Sequence, residues 1–302
     1  MRRALLAVMG TLILGTANSS HAGPPVLPEL AVEPMGYTEG PAVGPDGAVY
    51  FSEAGPAHAV HRHSPEGATE VVLDASASGG ANGLLWIGDR LWIAEDRLDR
   101  AVGVWSPGQA APRTVADTFE GQRFNGPNDL AFHQPSNTLF FTDPKYGEKP
   151  FEMEVEGVYA IRLDAAGELA SLTRVTDRLE RPNGIAVSGD TLYVADNRAK
   201  QLLRGSISES GEVGALTLFA DLTDQARFGP DGMAVLPDGR LLVVLYGQGV
   251  LVLDPEGAEL GFIETGPKSS NVAAAPDGGV WVTARNGLLY LPAEAIPADE
   301  DD

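Results

Sequence analysis

Six residues with a side-chain oxygen recur in register along this chain, each opening a short apolar run that leads to a turn and a β-rich segment. They are Glu39 before Gly40-Pro41-Ala42-Val43, Asn82 before Gly83-Leu84-Leu85-Trp86, Asn128 before Asp129-Leu130-Ala131-Phe132, Asn183 before Gly184-Ile185-Ala186-Val187, Asp231 before Gly232-Met233-Ala234-Val235 and Asn271 before Val272-Ala273-Ala274-Ala275. If each occupies the same place in a repeated unit around an axis, oxygens from distant stretches converge on one point. That arrangement suits a hard divalent cation. Ca2+ takes about six to eight oxygen ligands from carboxylates, amides and water, and Zn2+, Mn2+ or Mg2+ are the alternatives. Glu39 and Asp231 would supply negative charge and Asn128 and Asn183 neutral oxygens, leaving positions open for water and substrate. A cation held this way polarises a carbonyl or phosphoryl oxygen.

The spacing of the six defines the elements that must carry them. Successive members lie 43, 46, 55, 48 and 40 residues apart, a period at which repeats form four-stranded propeller blades. The expected fold is all-β, a six-bladed β-propeller. Within a repeat, a turn such as Pro45-Asp46-Gly47 or Gly189-Asp190 precedes a more aromatic strand such as Val49-Tyr50-Phe51 or Leu192-Tyr193-Val194. An Asn or Asp in such a chain ordinarily serves a turn, and Asp46, Asp238 and Asp277 are assigned to hairpins. Asp231 also stands in a Pro-Asp-Gly triplet, but the hairpin turn of its repeat begins at Pro237, so its register matches Glu39 instead. The last repeat lacks a fourth strand after Leu291, while Leu27 to Glu33 reads as extended; this N-terminal segment is expected to pair with the final blade and remove the open sheet edges.

Bulk properties narrow the class. One repeat running through most of 302 residues argues for a single closed domain, residues 23–297. Residues 1–22 read as a secretory signal peptide: Met1-Arg2-Arg3, an apolar run from Ala4 to about Ala17, then Ser20-His21-Ala22 as a small-x-small cleavage signal. The expected location is periplasmic or secreted. No cysteine is present, which excludes thiol catalysis and disulfides. A net charge of -21 disfavours nucleic acid and anionic membranes as partners and leaves a small-molecule substrate. Residues 298–302 form an acidic tail.

Five ordered stretches resemble the gluconolactonase/senescence-marker-protein (regucalcin-like) family of six-bladed propellers that hydrolyse lactones. They are Asn82-Gly83-Leu84, the run Arg123 to Leu130, the run Phe141 to Gly147, Arg181 to Ala186 and Asp231 to Val235. The resemblance covers about Pro34 to Pro292 and implies a metal held by Glu39, Asn128, Asn183 and Asp231. Diisopropyl fluorophosphatase and the paraoxonases use a similar arrangement. The chain departs from the family at Gly126, where sugar-lactone members carry Arg, at Glu95-Asp96, where bacterial gluconolactonases often carry Glu-His, and at Ala273-Ala274-Ala275, where a Phe-Gly-Gly is frequent.

The expected activity is therefore that of a calcium-dependent lactonase, with Asp231 as general base or as carboxylate nucleophile. Candidate substrate-binding residues are Asn82, Asn128, Tyr146 and Asn271. A phosphotriesterase or arylesterase on the same ion, or a non-enzymatic binding propeller with a structural ion, are the alternatives. His58, His61 and His63 are expected at the surface or a blade edge rather than as a zinc site, and Trp86 and Tyr146 in inter-blade core or a pocket wall. No Gly-x-Ser-x-Gly elbow and no phosphate-binding glycine loop occurs.

Overall fold

A computed structural model describes residues 28–298. The expected signal peptide and residues 299–302 of the acidic tail lie outside them. The described residues form six four-stranded antiparallel sheets, with a short hairpin (Thr118–Phe119 and Gln122–Arg123) and one 3-10 turn (Ala293–Ala295) as the remaining elements. The innermost strands of blades 1 to 6 are Tyr37–Val43, Ala81–Ile87, Leu130–His133, Pro182–Ser188, Pro230–Val235 and Asn271–Ala274. Each touches the innermost strand of its neighbour, and the sixth meets the first, so the ring is closed.

Closure uses the N-terminal strand as the sequence suggests. Glu29–Val32 lies antiparallel to Gly287–Leu291, with Glu29 opposite Tyr290 and Leu30 opposite Leu289, and so becomes the outer strand of blade 6. Its Val32 side chain enters the core between blades 6 and 1 with Leu288, Val49 and Phe51.

The core is divided among the gaps between blades. Six clusters of buried apolar side chains fill them, one per gap; the largest pairs Trp92 and Val102 of blade 2 with Leu139, Phe141 and Tyr159 of blade 3. This is the result of strands whose two faces are both covered by neighbouring sheets, so they read as apolar runs such as Leu241 to Leu245. Trp86 belongs to this system: it packs edge-on against Tyr50 at 4.9 Å between blades 1 and 2 and also lines a cavity among the inner strands.

Hydrogen bonds between blades hold the inner strands at the axis. Ser52 of blade 1 donates to the carbonyl of Asn82 at 2.7 Å, Thr142 of blade 3 to that of Asn183 at 2.7 Å, the Asn197 amide to that of Pro230 at 2.8 Å, and Ser270 to that of Thr38 at 2.8 Å. The backbone carbonyls at or next to four of the six recurrent positions are thus fixed by the preceding blade.

Candidate active site

The glycine that follows four of the recurrent residues, Glu39, Asn82, Asn183 and Asp231, has a steric cause. A Cβ on Gly83 would lie 2.6 Å from the carbonyl oxygen of Asn128, and one on Gly184 or Gly232 would overlap the Asp231 carbonyl or the Asn271 side chain respectively. At these glycines the inner strands converge so closely that only hydrogen fits. The same dipeptides carry β-bulges: the ladders slip between Glu39 and Ala42, Ala81 and Leu84, Pro182 and Ile185, and Pro230 and Met233. A bulge inserts one residue and re-aims the side chain beside it, which turns Glu39, Asn82, Asn183 and Asp231 toward one end of the axis.

That end is a cavity of about 690 Å3 lined by Glu39, Asn82, Asn128, Asn183 and Asp231, one from each of blades 1 to 5. Tyr146 also lines it. Asn271 does not. Blade 6 lacks the bulge, Asn271 pairs directly with Thr283, and its side chain faces the opposite end of the axis, in a second cavity of about 430 Å3. Its Oδ1 accepts the Val272 N–H at 2.8 Å, and the side chain hydrogen-bonds the carboxyls of Glu39 and Asp129 from behind. Asn271 therefore buttresses the site and lies outside the cavity proposed to receive substrate.

Electrostatically the floor of the cavity is strained. Burial pushes Asp231 well above the ordinary carboxylate range, and the charges of Glu39 and Asp129 add to the push. Burial also raises Glu39, with Asp129 contributing, while the Tyr37 hydroxyl, donating to Glu39 Oε1 at 2.9 Å, acts the other way. Buried like charges disfavour joint ionisation unless a cation lies between them. Asn183 restrains the set: its amide donates to the Tyr146 hydroxyl at 2.7 Å and it hydrogen-bonds Asp231. Among the described residues no group of three or more histidine, cysteine or carboxylate side chains gathers as metal ligands. The donor set is mixed, two carboxylates and two amides, and hard oxygen donors with uncompensated charge fit a divalent cation such as Ca2+.

Several residues in and around the cavity escape a reading of the sequence. Asp129, which lines the second cavity, takes the place that glycine holds in the bulged repeats, and burial lifts its carboxyl to about 7. The Asn-Asp pair in register with Glu-Gly, Asn-Gly and Asp-Gly is the signal that could have exposed it. Tyr37, Tyr246 and Phe228 form an aromatic wall, with Tyr246 6.4 Å from Tyr37 and 6.1 Å from Phe228, ring centre to ring centre. His58, Asp96, Arg97 and Arg181 supply polar groups on other walls. The histidines correct an expectation: His58 is in the cavity, and His61 and His63 are buried rather than superficial. Alternation along Ala59–His63 turns both inward, His61 onto Phe51 and against Glu53 at 3.2 Å, His63 against Thr69 at 2.9 Å.

A closed ring of six blades with an oxygen-lined axial cavity defines a class of propeller, and comparison places the chain within it. The chain belongs to the SMP-30/Gluconolactonase/LRE-like family, whose characteristic region matches residues 37–286. It is 29% identical over 266 residues to a gluconolactonase of Zymomonas mobilis, covering 79% of this chain and 72% of that one. A gluconolactonase structure from Xanthomonas campestris superposes with a TM-score of 0.76 at 26% identity, covering 91% of this chain and 99% of that one. A calcium-binding regucalcin structure from Agrobacterium tumefaciens shares the fold, with a TM-score of 0.72 at 21% identity, covering 89% and 94% of the two chains.

Proposed function

We propose that this protein is an exported, divalent-cation-dependent lactone hydrolase. The observation that carries the reading is the convergence of Glu39 and Asp231, from blades 1 and 5, with Asn128 and Asn183 in one cavity. Kinship with gluconolactonases supports it. A cation bound by these four residues would polarise the lactone carbonyl and offset the negative charge that develops on its oxygen.

The chain's own groups account for the rest. In one course, Asp231 takes a proton from water as the water oxygen attacks the carbonyl carbon; the ring C–O bond then breaks and the proton passes to the departing ring oxygen, giving a hydroxy acid. In the other, an Asp231 carboxylate oxygen attacks the carbonyl carbon, the ring C–O bond breaks and the departing oxygen takes a proton from water, and the hydroxide left then hydrolyses the mixed anhydride, freeing the hydroxy acid and the Asp231 carboxylate. Asn183 orients Asp231 and is itself fixed by Tyr146, while Tyr37 fixes Glu39. Asn82, held against Asp96 at 3.3 Å, and Asn128 offer amides to the substrate's hydroxyl groups. A second reading, an aryl ester or phosphotriester as substrate, is favoured by the wall of Tyr37, Phe228 and Tyr246. Side-by-side rates on a sugar lactone, an alkyl lactone, an aryl ester and paraoxon, with Ca2+, Zn2+ and Mn2+ in turn, test both. Lactones hydrolysed fastest support the first reading, and no hydrolysis of any of them with any metal overturns it.

A further inference from the structure

Arg181 stands in the cavity without an acidic partner. It immediately precedes the inner strand of blade 4 with φ +64°, in the left-handed region that residues with a Cβ seldom adopt, a conformation that concentrates at functional sites. This backbone sets the guanidinium over the Tyr146 ring, 5.1 Å from its centre. Its Nε is buried with no hydrogen-bond partner, and the group forms no ion pair among the described residues. Glu156 is in reach of the same segment, but its two oxygens accept the backbone N–H groups of Arg181 at 3.1 Å and Lys145 at 2.6 Å. Arg97, on another wall of the cavity, is by contrast paired with Asp96 at 3.1 Å. In a chain with 42 Asp and Glu against 21 Lys and Arg, an arginine left without a carboxylate inside a ligand-sized cavity has its charge in reserve.

We infer that Arg181 selects lactones that carry a carboxylate remote from the ring ester, an inference that rests on the lactonase reading above. A guanidinium stacked on an aromatic ring presents its edge, and that edge matches a planar carboxylate through two parallel N–H···O bonds. His58 and Asp96, which line the same cavity, each also keep a buried atom without a hydrogen-bond partner, Nδ1 and Oδ1, and so add polar character to its wall. The substrate class is thus a hydroxylated lactone with an acid group at its far end. Opening the ring leaves a dicarboxylate, one carboxyl at the Glu39–Asp231 end and one at Arg181.

Calorimetric titration of the calcium-loaded protein with two ring-opened products, glucarate and gluconate, tests this together with kcat/KM on their lactones. The wild type should bind the dicarboxylate at least roughly tenfold more tightly. Arg181→Gln should remove that preference and lower kcat/KM for the carboxylated lactone far more than for the neutral one, chiefly through KM, while Arg181→Lys keeps part of it. Equal affinities in the wild type, or a preference that survives in natively folded Arg181→Gln, overturn the inference. Charge-selective binding by a wild type that hydrolyses no lactone would count against the proposed reaction and support the carboxylate site.

Discussion

A carboxylate such as Asp231, buried beside Glu39 and Asp129, is costly to the fold and suited to work, because its charge matters most where water is least able to screen it. Replacing Asp231 by Asn keeps shape and hydrogen-bonding capacity and removes the charge. Lactone turnover should fall by at least about a thousandfold, as loss of a positioned base or nucleophile requires, while circular dichroism and Tm remain those of the wild type or better. Full activity in Asp231→Asn would exclude it from both courses of the reaction. The two courses part in single turnover in 18O-labelled water: label entering the Asp231 side chain marks direct attack with the anhydride opened at the aspartyl carbon, a result the base course does not give. Away from the cavity floor, Glu95 gives a pH signature. Burial, with Asp99 assisting, raises its carboxyl to about 8 in the fold, and its Oε2 has no partner. A folded value above the ordinary one means the fold holds the proton more tightly, so this contribution to stability is complete below about pH 4.5 and lost as pH rises toward 8. Glu95→Gln should flatten the stability curve over that window and stabilise the protein above it, by on the order of 2–4 kcal/mol. Parallel curves for the two proteins in urea titrations at pH 5 and pH 8 would contradict the assignment.

At the scale of a strand, the site depends on an extra residue at the bulge and on the absence of a side chain beside it. A methyl group at Gly184 would overlap the Asp231 carbonyl of the next blade, so Gly184→Ala should destabilise the fold by about 3 kcal/mol or more and weaken cation binding with it. Thr142→Val leaves the Asn183 carbonyl without the 2.7 Å bond that locates it, which should cost about 1–3 kcal/mol, read from the urea midpoint at constant m. The bulges also explain what was legible in the sequence. The register of six polar residues identifies the blades, and for Glu39, Asn82, Asn128, Asn183 and Asp231 it also identifies the cavity, because these five belong to repeats whose ladder is interrupted or has not yet begun. Asn271 shares the register but sits in an unbroken ladder, and spacing alone does not show on which side of a strand a bulge will turn a residue. Asp96, Arg181 and Tyr246 reach the cavity from segments flanking the strands, and Tyr37 from the first residue of one, where no period marks them.

For the whole molecule, closure is the source of rigidity, since no disulfide is available and each blade's core is shared with its neighbours. Deleting residues up to Glu33 removes the outer strand of blade 6, leaves the edge of Gly287–Leu291 unpaired and uncovers Phe51. Tm should fall by roughly 5–10 °C with concentration-dependent aggregation on heating; unchanged melting would show that the ring closes without that strand. The closed ring is also what brings Glu39 of blade 1 and Asp231 of blade 5 into the cavity where the cation is proposed, and the most direct test is a calorimetric titration of chelator-treated protein with Ca2+. One site should appear with Kd below about 100 μM, weakened at least about tenfold in Glu39→Gln and again in Asp231→Asn. Binding that is absent, or indifferent to both substitutions, would contradict a shared cation at the axis.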